Sequence, residues 1–242
     1  MRGRDVMGNL DDEKVKDSTR KNLLALRDKH GLKIATEVAR KSLKVSDNDV
    51  DFKRNFNGEI CEVVLEMQLQ EFMKTHKDWF YVKGMVLPDA DNLNSEFLTE
   101  IDFVVFSPSC IFCIECKSYA GKTKLVDKGT FILSNGKTRD VYKQNSLHLE
   151  VLDKMLAPFG KQGKAYQMVL FDFSTGSCTD TRNLKDKKEF LYTTDKDILS
   201  VLSNTNLDGH WDLVGLRMAK PKFEAYSSKA RAKHLQYVKS LH

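Results

Sequence analysis

Apolar residues recur at near-helical spacing through residues 11–44, at Leu23, Leu24, Leu26, Ile34, Val38 and Leu43. The spacing predicts helix, with acids at its front and Gly31 as a point of division. The polar run "VSDNDVDFKRN" (45–55) reads as a linker, which sets a boundary near residue 50. A second helix is predicted over about 56–75 from Ile60, Val63, Val64, Met67, Leu69 and Phe72, with Glu59 in its first turn. The pattern then changes. "WFYVKGMVL" (79–87), "FLTEIDFVVF" (97–106) and "CIFCIECKS" (110–118) are aromatic and β-branched runs, read as strands. "SPS" (107–109) joins the last two as a tight turn, so an antiparallel hairpin is expected.

Further on, "TKLVDKGTFILSNGKT" predicts one or two short strands, with Asn135-Gly136 as a turn. A helix is predicted over 141–156 and a buried strand over 164–173. "NLKDKKEF" reads as a charged connection and "TTDKDILSVLSN" as a short capped helix. An amphipathic helix over 221–241 closes the chain, with Phe223, Tyr226, Ala230, Val238 and Leu241 on one side. The expected organisation is a helical extension (1–50), an α/β core (51–180) and a C-terminal completion with a basic amphipathic helix (181–242).

Composition changes this picture little. A chain of 242 residues, 41% hydrophobic and 30% charged, is that of a globular protein able to bury a sizeable core. No apolar run approaches the roughly 20 residues needed to span a bilayer, and the start lacks the apolar stretch of a secretory signal. A cytoplasmic protein without a membrane partner is expected. Three of the five cysteines (Cys110, Cys113, Cys116) crowd into one strand; residues three apart on a strand point to opposite faces, so reduced core cysteines are preferred to a zinc site. Trp79 and Trp211 read as core. No phosphate-binding glycine loop and no serine–histidine–acid arrangement is present, which argues against ATP hydrolysis and serine-hydrolase chemistry.

Charge does change it. The formal net charge is +5, yet residues 217–242 carry seven lysines and arginines against one acid, Glu224, leaving the rest near neutral. A neutral body with a basic end suits contact with a polyanion, and equally suits a solvated helix face. Lys229, Arg231 and Lys233, interleaved with Phe223, Tyr226 and Tyr237, are the candidate nucleic-acid contacts there. Tyr119 and Lys122 are candidates after the third strand.

The chemistry concentrates in the hairpin. Alternation puts Glu115 and Lys117 on one face, with Ile114 and Cys116 on the other. Asp102 is expected to share a face with Glu100 and Val104, and pairing across the turn brings it towards Glu115. Two carboxylates about 4 Å apart repel by about 4 kcal/mol at an effective dielectric near 20. Protonation of one acid relieves that, as does a divalent cation. His148, one turn beyond Gln144, reads as a partly buried helix residue rather than a base.

The order "NGE" (57–59), "TEIDFVVFSPSCIFCIECKSYAG" (99–121) and "YKQN" (142–145) resembles the nuclease-related domain, NERD, of the PD-(D/E)xK nuclease superfamily. The resemblance covers about residues 55–175. It implies a restriction-endonuclease-like α/β core, a central mixed β-sheet flanked by helices. It also implies Glu59, Asp102 and Glu115 as metal-binding acids, the Cys116 carbonyl as a further ligand and Lys117 as the catalytic lysine. Gln144 matches the glutamine on the helix after the core sheet; Asp140 and Val141 stand where the family often has Asn-Pro. The implied activity is Mg²⁺- or Mn²⁺-dependent hydrolysis of DNA, with RNA as an alternative substrate, in DNA processing or defence against foreign DNA. A homodimer and a separate helicase or other DNA-processing factor are the partners this reading admits. The rival readings are a non-cleaving nucleic-acid-binding module and a structural partner in a repair or conjugation complex.

Overall fold

Three helices precede the first strand in the computed structural model, which describes residues 4–43, 50–88 and 98–240. They are α1 (Arg4–His30), α2 (Leu32–Ser42) and α3 (Val50–Phe72). Gly31, at φ 88°, breaks the first two apart, as the sequence suggested. Helix α3 starts earlier than expected and takes in residues 50–55 of the presumed linker; residues 44–49 lie outside the described residues. Then come β1 (Phe80–Pro88), β2 (Leu98–Phe106), β3 (Ile111–Lys117), β4 (Thr123–Val126), β5 (Thr130–Ile132) and β6 (Thr138–Asp140). Helix α4 (Val141–Leu156) follows, then β7 (Gly160–Gly163), β8 (Tyr166–Asp172), β9 (Cys178–Asp180), α5 (Leu184–Glu189) and β10 (Phe190–Thr194). The chain ends with α6 (Ile198–Asn204), β11 (His210–Trp211) and α7 (Leu213–Ser240).

The central sheet runs β1-β2-β3-β8-β10. Its first three strands are antiparallel neighbours, and β8 and β10 add in parallel, so the sheet is mixed. The hairpin of β2 and β3 is closed as predicted: Ser107 Oγ donates to the Cys110 carbonyl at 2.7 Å and accepts the Cys110 N–H at 3.0 Å. Three differences from the expected elements stand out. The charged connection is helix α5 and leads into a fifth strand, β10, beside β8. A small sheet, β6-β5-β4-β9, stands beside the main one, and β7 pairs with β11. Helix α7 begins at Leu213, so Pro221 lies inside it.

Helices cover both faces of the sheet. Ile60, Val63, Val64 and Met67 of α3 pack with Phe103, Val105, Phe112 and Ile114, and Leu23, Ala35 and Ala39 of α1 and α2 join the same core. The other face buries Val104, Phe106, Ile111 and Cys113 under Val151, Leu152 and Leu156 of α4, with Trp211 and Leu216. Cys110 and Cys113 therefore belong to different cores, and all five cysteines are free thiols. Burial pushes the Cys110 thiol up to about 12. Trp79 is only half-buried, stacked 5.8 Å from Phe112. Among the described residues no helix is long and apolar enough to cross a membrane.

Candidate active site

The site lies where β2 and β3 part. Their ladder runs from Phe106 opposite Ile111 to Phe103 opposite Ile114 and stops there. One step on, Asp102 uses its side chain in place of a backbone acceptor, and its Oδ2 takes the Cys116 N–H at 2.7 Å. The two-residue alternation of β2 is also interrupted at this point. Val104 and Phe106 pack beneath α4, Phe103 and Val105 pack beneath α3, yet Ile101 returns to the α4 side. Strand β1 skips in step: Val82, Met85 and Leu87 share the α4-side core, with Gly84 between them at φ 59°. The expectation that Glu100, Asp102 and Val104 share one face fails here. A strand irregularity of this kind re-aims a side chain, and Asp102 is the one re-aimed.

Glu115 does lie on the face read from the sequence, together with Lys117. It is 2% exposed, and its carboxylate is shared unevenly. Oε1 accepts from Lys117 Nζ and, at 2.8 Å, from Gln144 Nε2. Oε2 has no hydrogen-bond partner among the described residues; His148 Nδ1, also without one, lies 3.6 Å away. Helix α4 supplies both Gln144 and His148, four residues apart on one side. Its N-cap is Asp140, which accepts the Lys143 N–H at 2.8 Å and so fixes the turn that carries Gln144.

The electrostatics follow from burial. Desolvation, and then the charges of Glu115 and Glu62, hold the Asp102 carboxyl well above the usual carboxylate range. Desolvation alone would lower Lys117, but Glu115 and Asp102 outweigh it and raise the ammonium pKa, so Lys117 is a fixed cation. Burial keeps His148 below its ordinary value, and the ring is neutral at pH 7. His148 is more buried than the sequence suggested, at 3% exposed.

A cleft of about 690 Å³ opens beside Asp102. Its lining includes Glu59 and Glu62 of α3, Lys83 of β1, Glu100 of β2, Gln144 of α4 and Arg231 of α7. Lys83 Nζ stands 4.0 Å from Glu59, 3.2 Å from Glu62 and 3.4 Å from Glu66. Glu62 was missed in the sequence; its signal is the helical spacing Glu59–Glu62–Glu66, which aims three acids at one lysine. Arg231 is the one tail residue of the expected set that reaches the cleft; Lys229 and Lys233 are exposed and do not line it. Nor does Tyr119, whose ring packs 4.9 Å from Phe131, nor the exposed Lys122.

The residues fit a divalent cation. Asp102 is a half-buried acid within electrostatic reach of the buried Glu115, and a lone Oε2 is left over on Glu115. Among the described residues no three His, Cys, Asp or Glu side chains gather closely enough to cage an ion alone. Magnesium is usually held by one or two carboxylates, with waters and substrate phosphate completing its shell, and an open pair suits that.

A mixed α/β domain with an acid–acid–lysine site is the class defined so far. Residues 57–172 match the nuclease-related domain (NERD) family, and this span of the chain is a domain of that family. The matched span runs from just before Glu59 to the end of β8 and contains Asp102, Glu115, Lys117 and Gln144. Comparison with curated proteins and with solved structures yields no match.

Proposed function

We propose that this domain is a divalent-metal-dependent nuclease of the PD-(D/E)xK type that hydrolyses phosphodiester bonds in DNA. The observation that carries the reading is the placement of Asp102 against β3 one step beyond the ladder, beside a Glu115 already engaged by Lys117. Asp102, Glu115 and the Cys116 carbonyl would hold Mg²⁺ or Mn²⁺, with Glu59 acting through water. When bound, the ion supplies a more acidic water and offsets charge on the phosphate. Asp102 must be ionised for this, which desolvation and the neighbouring charges resist without a cation. Lys117 remains protonated and places a positive charge where the phosphate's negative charge grows during attack. Gln144 fixes one Glu115 oxygen, leaving the other available. His148, neutral and enclosed, acts through Glu115 rather than on substrate.

The test is direct. Purified protein is incubated with plasmid, linear and single-stranded DNA, and with RNA, in Mg²⁺, Mn²⁺ or EDTA. Cleavage confined to the metal samples and lost in Glu115→Gln and Lys117→Ala is the expected result. Cleavage that survives either substitution overturns the assignment of the site. Absence of cleavage in every sample favours the non-cleaving binding module.

A further inference from the structure

We infer that Arg231 of α7 is a seat for a backbone phosphate of the nucleic acid next to the scissile one, and that Glu100 occupies this seat until substrate arrives. The inference rests on the nuclease reading for the identity of the substrate. Its basis is the way α7 is fastened. Ser227, Ala230, Arg231 and His234 fall at helical spacing on one side of the helix. Ser227 Oγ accepts the Val86 N–H of edge strand β1 at 3.0 Å in a buried hydrogen bond, and Ala230 packs on Val86. That anchor sets the next two turns of the helix over the cleft. Arg231 pairs with Glu100 Oε1, and His234 Nε2 lies 3.7 Å from Glu100 Oε2.

Gly84 makes the approach possible. A Cβ there would collide with the Arg231 guanidinium and lie 3.0 Å from Glu100 Oε1, so the guanidinium sits in a notch of β1. The notch is at the strand irregularity opposite Asp102, which puts the Arg231–Glu100 pair on the same cleft as Asp102, Glu59 and Glu62. Arg231 differs in this from Lys83 and Arg20, which are tied to glutamates of α3. Its direct ion-pair partner among the described residues is Glu100 on the rim, about one-fifth exposed, with Glu62 and Glu59 acting only as more distant charges. A guanidinium binds a phosphate through the same two-pronged geometry it offers a carboxylate. A phosphate can therefore replace Glu100 without moving the helix.

The experiment is fluorescence anisotropy with a labelled single-stranded DNA oligonucleotide in EDTA, where no cleavage occurs. Glu100→Gln weakens the resident competitor and is expected to tighten binding about fivefold, the scale of an exposed ion pair. Arg231→Gln is expected to weaken binding and to lower the slope of log K against log salt by about one. In the double variant the gain from Glu100→Gln should vanish, because the seat is gone. Unchanged or weaker binding in Glu100→Gln overturns the inference, as does a gain that persists without Arg231. Metal-dependent cleavage by the same preparations tests the nuclease reading separately: cleavage with no Glu100→Gln effect sinks only the phosphate seat, and the converse sinks only the hydrolase.

Discussion

Cys116, two residues past the last paired position of β3, gives its backbone N–H at 2.7 Å to the carboxylate of Asp102, one residue past that position on β2. That bond ties the acid to the strand bearing Glu115 and Lys117, and it keeps the half-buried Asp102 beside the buried Glu115 although the two repel. Burial and the neighbouring charges raise Asp102. Between the ordinary carboxylate pKa and this raised value the folded chain binds the extra proton, so the Asp102 contribution to stability falls as pH rises through that window. Asp102→Asn keeps a carbonyl oxygen for the Cys116 N–H and removes the charge. In EDTA at pH 7 the variant should be more stable by about 1 kcal/mol, a rise of about 2–4 °C in Tm. The difference should shrink on acidification, and metal-dependent cleavage should be lost. Melting curves with EDTA between pH 5 and 8 check this; a less stable variant would contradict the repulsion on which the site is built.

Among the described residues Lys117 is the one cation hydrogen-bonded to Glu115. Lys117→Met removes it and leaves a carboxylate that is 2% exposed without a counter-charge. Breaking a buried pair costs about 3–5 kcal/mol, and since Lys117 keeps some solvent contact, about 2 kcal/mol is expected here. Urea titration at pH 7 should show this loss. Cleavage should fall at least about a hundredfold, the scale of removing one charge-stabilising donor. Adding Glu115→Gln should restore most of the stability and none of the activity, which separates the structural part of the pair from the chemical part.

On the nuclease reading Gln144 would act on a bound metal through Glu115, whose Oε1 it holds at 2.8 Å. Side chains that orient a ligand typically account for about 10–100-fold in metal affinity or activity. Gln144→Ala should therefore raise the Mg²⁺ concentration needed for half-maximal cleavage by about that factor, while saturating metal recovers much of the rate. A rate that fell equally at all metal concentrations would place Gln144 on the substrate instead.

The hairpin and its acid–acid–lysine set were legible because strand alternation and a Ser-Pro-Ser turn are local facts. Glu115 and Lys117 share a face whatever else the chain does. Glu62 and His148 were not, since what brings them to the site is the packing of α3 and α4 on opposite faces of the sheet. The break in alternation at Asp102 was hidden as well: it needs Gly84 on a neighbouring strand, and no period along β2 alone reveals it. Strand β10 escaped because "FLYTT" is short and follows a lysine-rich stretch; only parallel pairing with β8 makes it a strand. The basic tail was visible as charge, but charge did not say that the edge strand holds Arg231 at the cleft while Lys229 and Lys233 remain in solvent.

Arg182 tests the frame rather than the chemistry. Its side chain is 1% exposed and makes four bonds of about the ideal kind. It grips both oxygens of Asp180 at 3.0 Å and donates to the carbonyls of Lys128 at 3.1 Å and Phe190 at 2.7 Å. One residue thereby fastens the β4–β5 turn and β9 of the small sheet to the start of β10 in the main sheet. Desolvation would raise Asp180, but its bonds to Arg182 outweigh this and hold the acid below its ordinary pKa. Such a group stabilises the fold above the ordinary carboxylate range, and that contribution is lost as pH falls through the depressed value. Arg182→Met should cost about 3–5 kcal/mol, because Asp180 and two carbonyls lose their partner together. Arg182→Lys should recover less than half of it, since an ammonium cannot reproduce the fork. The small sheet leads directly into α4, so the loosened frame should also weaken Gln144's hold on Glu115. Half-maximal Mg²⁺ should then rise in Arg182→Met at temperatures where circular dichroism shows the fold intact, and an unchanged value would mean that α4 is positioned by the main sheet alone.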